Sequence, residues 1–226
     1  LEDLCVLVPL LKSSAQIPVS VSYKPNSLDD IGRLLSAGVD RLGIAIDAVE
    51  PNIYSEVKGG SFSSAKEYLV AAASRYPGKI STHVIVGLGE SEESVLRIVS
   101  ESIECGITVA LFAFTPVRGT PMESKIQPDI GSYRRIQAAC HLLRLGLVSV
   151  SDIRFEEGRI KSIEIEPERA IRALQSGTAF QTSGCDGCNR PFYNERPGSV
   201  MYNYPRPLRA HEVEEAIAGT GLWKQR

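Results

Sequence analysis

The chain has 226 residues, 43% hydrophobic and 23% charged, enough for a substantial core in one domain, with or without an appended tail. Its 25 basic and 27 acidic residues leave a net charge of -2, which argues against nucleic acid or an anionic membrane surface as partner. No apolar run approaches the ~20 residues that span a bilayer, and no signal peptide is evident, so a cytoplasmic protein is expected.

Leu4, Leu7, Val8 and Leu11 recur at helical spacing and predict a helix over residues 2–14, kinked or halted midway by Pro9. Residues 17–21 alternate and β-branch as a strand. Ser27 then caps a helix carrying Leu28, Ile31, Leu34 and Leu35 on one face, with Gly38 past its end. Residues 39–48 predict a second strand with Asp47 at its C-terminal end. A carboxylate buried there needs a partner or a ligand; a turn-forming Asp before Pro51 needs neither. After a loop, Ser64 and Glu67 match a capping box opening a helix through Tyr68, Leu69 and Ala72.

The stretch from Ser81 to Glu90, STHVIVGLGE, organises the chain. Residues 80–86 are a β-branched, uncharged run too short for a helix, which predicts a strand buried on both faces. Gly87-Leu88-Gly89 ends it, and Ser91 with Glu92 and Glu93 opens a helix carrying Val95, Ile98, Val99 and Ile103. The glycines let backbone approach a ligand closely, and Glu90 adds an acceptor; a purely structural turn has the same composition. Residues 108–117 predict the next strand, followed by the turn Arg118-Gly119-Thr120-Pro121 and a helix with Ile130, Tyr133, Ile136, Cys140 and Leu143. Successive β-α units with right-handed crossovers make a partial (β/α) TIM-type barrel or an open parallel sheet over residues 1–146, whose ligands bind at the C-terminal strand ends.

Residues 147–226 read as an extension. Residues 153–155 and 159–165 flank Glu156-Glu157-Gly158 as a hairpin, Pro167 opens a short helix, and a last helix spans about residues 211–218. Between them lies a Gly-, Pro- and Tyr-rich loop with Cys185-x-x-Cys188. The other three cysteines, Cys5, Cys105 and Cys140, sit in apolar helical segments as reduced buried thiols. Cys185 and Cys188 have the spacing of a two-thiolate clamp, open to an iron–sulfur cluster, structural zinc or an idle or redox pair, with further ligands needed from elsewhere.

Three strand ends resemble the radical S-adenosylmethionine (radical SAM) family. His83, Ile85, Gly87 and Glu90 match its G-x-I-x-G-x-x-E adenine motif, with His83 in place of the first glycine. Ala45-Ile46-Asp47 is similar to the N-x-D ribose motif of biotin synthase without its Asn, and Arg118-Gly119-Thr120-Pro121 to its K-G-T-P turn. The loop from Cys185 through Asn189 to Gly198 resembles that of biotin synthase-related proteins, some of them lipoyl synthases.

The resemblance implies SAM and a [4Fe-4S] cluster as cofactors. It places Ile85 on the adenine, Asp47 at the ribose, Gly87 where the ligand approaches backbone, and Lys58 or Arg134 at the SAM carboxylate or the substrate. It also implies an auxiliary Fe-S cluster at Cys185 and Cys188 as a sulfur source, and a small-molecule or protein-bound acyl substrate. Arg190, Asn194, Glu195 and Arg196, with Tyr193, Tyr202 and Tyr204, would order the loop over the barrel mouth or pack the tail. No C-x-x-x-C-x-x-C occurs in this sequence, so the cluster ligands are expected upstream of it, and catalytic residues are not assigned. The expectation is the C-terminal portion of a sulfur-inserting radical SAM enzyme, inactive alone. The alternative is a non-catalytic, metal-binding partner subunit.

Overall fold

The computed structural model describes residues 1–185, 188 and 198–223. Its elements are α1 (Glu2–Ser14), β1 (Ser20–Ser22), α2 (Leu28–Ser36), β2 (Arg41–Gly43), α3 (Pro51–Val57), α4 (Phe62–Arg75), β3 (Ile80–Val86), α5 (Glu92–Glu104), β4 (Thr108–Ala113), α6 (Ile130–Arg144), β5 (Ile153–Glu156), β6 (Arg159–Ile163), α7 (Pro167–Leu174) and α8 (Ala210–Thr220). The first four strands form one parallel sheet in the order β1-β2-β3-β4, so the architecture is α/β. The sheet is open: no closed barrel is present among the described residues. No helix among them is long and apolar enough to cross a membrane.

β3 shows why the sheet forms where it does. Ile80, Val84 and Val86 pack into one hydrophobic cluster with Val95, Leu96 and Val99 of α5 and Ile136 of α6. The alternate residues Ser81, His83 and Ile85 point to the other face, where only Ser81 is fully buried. That face was expected to be covered throughout and is half open.

Several boundaries differ from expectation. Pro9 does not stop α1, which runs on to Ser14. β1 starts at Ser20, and β4 ends at Ala113. Pro51 opens α3, a helix not anticipated, by fixing φ at its first turn. The cap of α4 is Ser61, whose hydroxyl accepts from Ser64 N at 3.3 Å, so Ser64 is the donor and not the cap. The hairpin β5–β6 is as expected, with Glu157 and Gly158 at φ 51° and 74° supplying its tight turn.

A buried ion pair joins the sheet to the second half of the chain. Glu92, the first residue of α5, and Arg135 of α6 have side chains only 7% and 6% exposed. Glu92 Oε1 accepts from Arg135 Nη2 at 2.5 Å and from Ser132 Oγ at 2.7 Å, while Oε2 accepts from Ile160 N of β6 at 2.8 Å. One carboxylate thus ties α5, α6 and the hairpin.

The tail is fastened to α6 by a second buried network. Arg134 Nη1 donates to Tyr202 O at 2.6 Å and Nη2 to Met201 O at 2.5 Å. Gln137 Nε2 donates to Asn203 Oδ1 at 3.0 Å, and Tyr202 OH to Pro128 O at 2.7 Å. Thr182 N–Tyr204 O and Tyr204 N–Phe180 O bonds, each 2.9 Å, pinch together the two ends of the cysteine loop. The tail and α6 also cover the outer edge of β4: Ser183 Oγ accepts from Leu111 N at 3.3 Å, and Arg144 Nη2 donates to Val109 O at 2.6 Å. Side chains thus take up hydrogen-bonding groups along this edge strand, which blunts it as a template for pairing.

Removing one member of a buried pair strands the other charge. Glu92→Ala is expected to lower stability by about 3–5 kcal/mol, and Glu92→Leu combined with Arg135→Met by much less. Urea unfolding of the two variants checks this; equal losses would contradict it.

Candidate functional site

The site is built on a fault in the sheet. Gly43 pairs with Ser81 and Asp47 with Val84, so four steps along one chain face three along the other. The extra residue is a bulge, which explains why residues 39–48 do not form one strand. Thr82, 0% exposed in β3, repairs it: its hydroxyl donates to Ile44 O at 2.8 Å and accepts from Ile46 N at 3.2 Å. Beyond the bulge the ladder resumes, with Asp47 N donating to His83 O at 2.9 Å and Ile85 N to Asp47 O at 2.8 Å. Asp47 itself sits at φ 58°, a left-handed conformation uncommon for a non-glycine residue and concentrated at functional sites.

Two expected site residues meet here. Lys58 Nζ, just past α3, donates to Asp47 Oδ2 at 2.5 Å and to Ala45 O at 3.2 Å. The Asp47 side chain is 19% exposed. Its second oxygen, Oδ1, makes no bond to a described residue. Beside them His83 lies half-buried against Phe112, with ring centroids 4.9 Å apart. Burial pushes the His83 imidazole below its ordinary pKa, opposed by the Asp47 carboxylate and reinforced by Lys58. Ile85, half-buried on the same strand face, packs with Tyr54, Leu88 and Phe114.

The glycine turn has a different use from the one expected. Gly87 has φ 106°, and a Cβ there would lie 2.8 Å from Pro128 Cδ, so the missing side chain makes room for Pro128. Glu90 is also occupied: its carboxylate accepts from Gly87 N at 2.6 Å and Leu88 N at 2.9 Å, tying the turn to itself. Glu50, capping α3, reaches Ser91 N at 3.0 Å and docks that helix on the same turn. Gly87 N and the Glu90 carboxylate are therefore bonded to each other within the turn.

Arg134 is corrected as well. It is 4% exposed, it holds the carbonyls of Met201 and Tyr202, and its guanidinium lies 5.5 Å from the ring centroids of Phe180 and Tyr204. It is the anchor of the tail. The Arg118-Gly119-Thr120-Pro121 turn is exposed and folded on itself, Gly119 N donating to Glu123 Oε2 at 2.7 Å.

Cys185 is exposed and Cys188 half-buried, with Cys188 N donating to Cys185 O at 3.3 Å. The loop reaches the inner sheet face next to them. A Cβ on Gly184 would lie 2.5 Å from Ala110 Cβ, and Arg41 Nη1 donates to Gly184 O at 3.3 Å. Among the described residues no group of three or more His, Cys, Asp or Glu is placed to hold a metal ion. Arg190, Tyr193, Asn194, Glu195 and Arg196 lie outside the described residues, while Tyr202 and Tyr204 belong to the tail anchor.

Sequence reasoning missed a cavity of about 320 Å³ beside this cluster, lined among others by Tyr23, Ile44, Ile46, Tyr54, Lys58 and Tyr68. The Tyr68 hydroxyl is buried without a hydrogen-bond partner among the described residues, and burial raises its pKa. Thr82 was missed too; its signal was a hydroxyl on the strand face that otherwise carries Ile80, Val84 and Val86.

No family model matches the chain. Over 93 residues, 41% of this chain and 28% of the relative, it is 25% identical to GTP 3',8-cyclase of Limosilactobacillus fermentum. Over 98 residues, 42% of this chain and 26% of the relative, it is 26% identical to an uncharacterized protein of Methanocaldococcus jannaschii. The aligned stretches thus span little more than a quarter of these relatives. Among solved structures, hydroxymethylglutaryl-CoA lyase from Pseudomonas aeruginosa aligns over 55% of this chain and 40% of its own at 19% identity and a TM-score of 0.41. The HMG-CoA lyase from Brucella melitensis aligns over 91% and 67% at 14% identity and the same TM-score of 0.41. These scores are too low to establish a shared fold.

The described thiols differ sharply in access. Cys140 is fully buried in α6 and its pKa is pushed up to about 12, whereas Cys105, expected to be buried, is exposed at the end of α5. Native alkylation with iodoacetamide is expected to modify Cys105 and Cys185 readily and Cys140 only after denaturation. Peptide mass mapping checks it, and rapid native labelling of Cys140 would contradict it.

Proposed function

We propose that this chain is the adenosyl-binding portion of a radical SAM enzyme, acting in the cytoplasm. The observation that carries the reading is Asp47: a carboxylate held in a left-handed conformation on a β-bulge, at the C-terminal end of a parallel sheet, with Oδ1 left over after Lys58 takes Oδ2. Ligands of open α/β sheets bind at that end. The distant likeness to GTP 3',8-cyclase, a radical SAM enzyme, supports the same family.

In this reading the chain binds and orients. Asp47 Oδ1 accepts from a ribose hydroxyl, Lys58 holds the carboxylate in place, and Ile85 offers an apolar surface to the adenine. The self-bonded turn of Gly87 and Glu90 keeps that surface rigid. One-electron cleavage of SAM would be supplied by a [4Fe-4S] cluster, for which the described residues offer no ligand set and the sequence no C-x-x-x-C-x-x-C. No chemical step is therefore assigned to this chain's side chains.

Sulfur insertion, as in lipoyl or biotin synthesis, is the finer form of the proposal and rests on the resemblance of the cysteine loop. The placement of Gly184 against Ala110 favours a role for Cys185 and Cys188 at the inner sheet face, whether in an auxiliary cluster or in a partner subunit that binds metal without catalysis.

The test is calorimetric titration of the full chain with S-adenosylhomocysteine. Asp47→Ala is expected to weaken binding by roughly 10- to 100-fold, the worth of a charged hydrogen bond. Unchanged affinity in Asp47→Ala, with thermal stability preserved, would count against the assignment.

A further inference from the structure

The adenosyl site makes no use of the two thiols in the tail. Cys188 N donates to Cys185 O at 3.3 Å. A bond between residues three apart marks a β-turn, whose end Cα atoms lie within about 7 Å of each other. Disulfides bridge Cα separations of roughly 4.4–6.8 Å, so the turn brings this pair into bridging range.

The fold also fixes the chain just before the pair. Thr182 N donates to Tyr204 O at 2.9 Å, and Ser183 Oγ accepts from Leu111 N at 3.3 Å. Gly184, at φ 101°, lies so close to Ala110 that a Cβ would come within 2.5 Å of the Ala110 Cβ, and Arg41 Nη1 donates to its carbonyl at 3.3 Å. Three consecutive residues are thus held before Cys185. A bridge between groups already held near each other costs less chain entropy than one closed from a free loop.

The two thiols differ in access, Cys185 being exposed and Cys188 half-buried. That asymmetry suits exchange chemistry: the outer thiol meets an external disulfide, and the inner one resolves the adduct. A metal asks for more than two thiolates, and among the described residues no third His, Cys, Asp or Glu joins them. Dithiol–disulfide chemistry is complete with two.

We propose that Cys185 and Cys188 are a reversible dithiol–disulfide couple, oxidised by a low-molecular-weight disulfide. The Cys185 thiolate attacks one sulfur of that disulfide, expelling one small thiolate and leaving a mixed disulfide. The Cys188 thiolate then attacks Cys185 Sγ, expelling the second small thiolate and closing the bridge. Two electrons pass from the pair to the small disulfide, and the two protons lost by the cysteines end on the two small thiols released. The closed form has no thiolate to offer a metal, so oxidation and metal loading exclude each other. The proposal does not rest on the adenosyl reading.

The test equilibrates the full chain anaerobically in a series of glutathione and glutathione disulfide mixtures, followed by acid quenching, alkylation and peptide mass mapping. The wild-type peptide is expected to lose the mass of two hydrogens, reaching half-closure at about tenfold less glutathione disulfide than the same chain unfolded in urea. Cys188→Ser should trap glutathione on Cys185, and Cys185→Ser should take it up at Cys188 about tenfold more slowly. Exposed Cys105 is the control that gains an adduct without closing. The proposal is overturned if the wild type stops at the mixed disulfide, if it closes no more readily than the unfolded chain, or if metal held by the isolated protein keeps both thiols from reacting. None of these readouts depends on nucleoside binding, so any of them leaves the adenosyl site standing.

Discussion

The hydroxyl of Thr82 carries more of this structure than its size suggests. A strand with one residue too many leaves a carbonyl and an amide unpaired in the interior, and each such group costs about 1–3 kcal/mol if left unsatisfied. Thr82 bonds both, at Ile44 O and Ile46 N, in a position 0% exposed to solvent. The bulge thereby persists within a sheet that otherwise packs as a regular parallel ladder. Because it persists, Asp47 emerges at φ 58° beside His83 instead of continuing as an ordinary strand residue. The placement of Asp47 in the candidate site follows from that one repair.

The second half of the chain has a different task, which is to hold the open sheet together. Glu92 and Arg135 bind the hairpin to the helices, and Arg134 uses its donors on carbonyls of the tail. These two adjacent arginines on α6 face different partners because successive helical residues point about 100° apart. The tail in turn covers the edge of β4 and lays Gly184 on Ala110. Cys185, the next residue, remains exposed.

Much of the fold was legible in the sequence, because apolar periodicity and capping residues are local signals. β3 and the serine caps of α2 and α5 stand where the pattern placed them. What was not legible depended on partners distant in sequence. The bulge at residues 44–46 needs Thr82, some forty residues away, and Ile44-Ala45-Ile46 carries no local sign of it. Gly87 and Glu90 were read as ligand-facing because a glycine turn looks alike whether a ligand or Pro128 fills the space. Arg134 was assigned to the site as a lone cation, and its carbonyl partners lie nearly seventy residues away on a tail with no periodicity. Asp47 and Lys58 were named separately, and the structure adds their direct pairing.

The strand ends around Asp47 are where a nucleoside is proposed to bind. A crystal structure of the full chain with S-adenosylhomocysteine tests this most directly. The expected result is adenine against Ile85, the ribose at Asp47 Oδ1, and the Lys58 bond retained. A ligand seated instead in the cavity of Tyr54 and Tyr68, with Asp47 and His83 untouched, would contradict it.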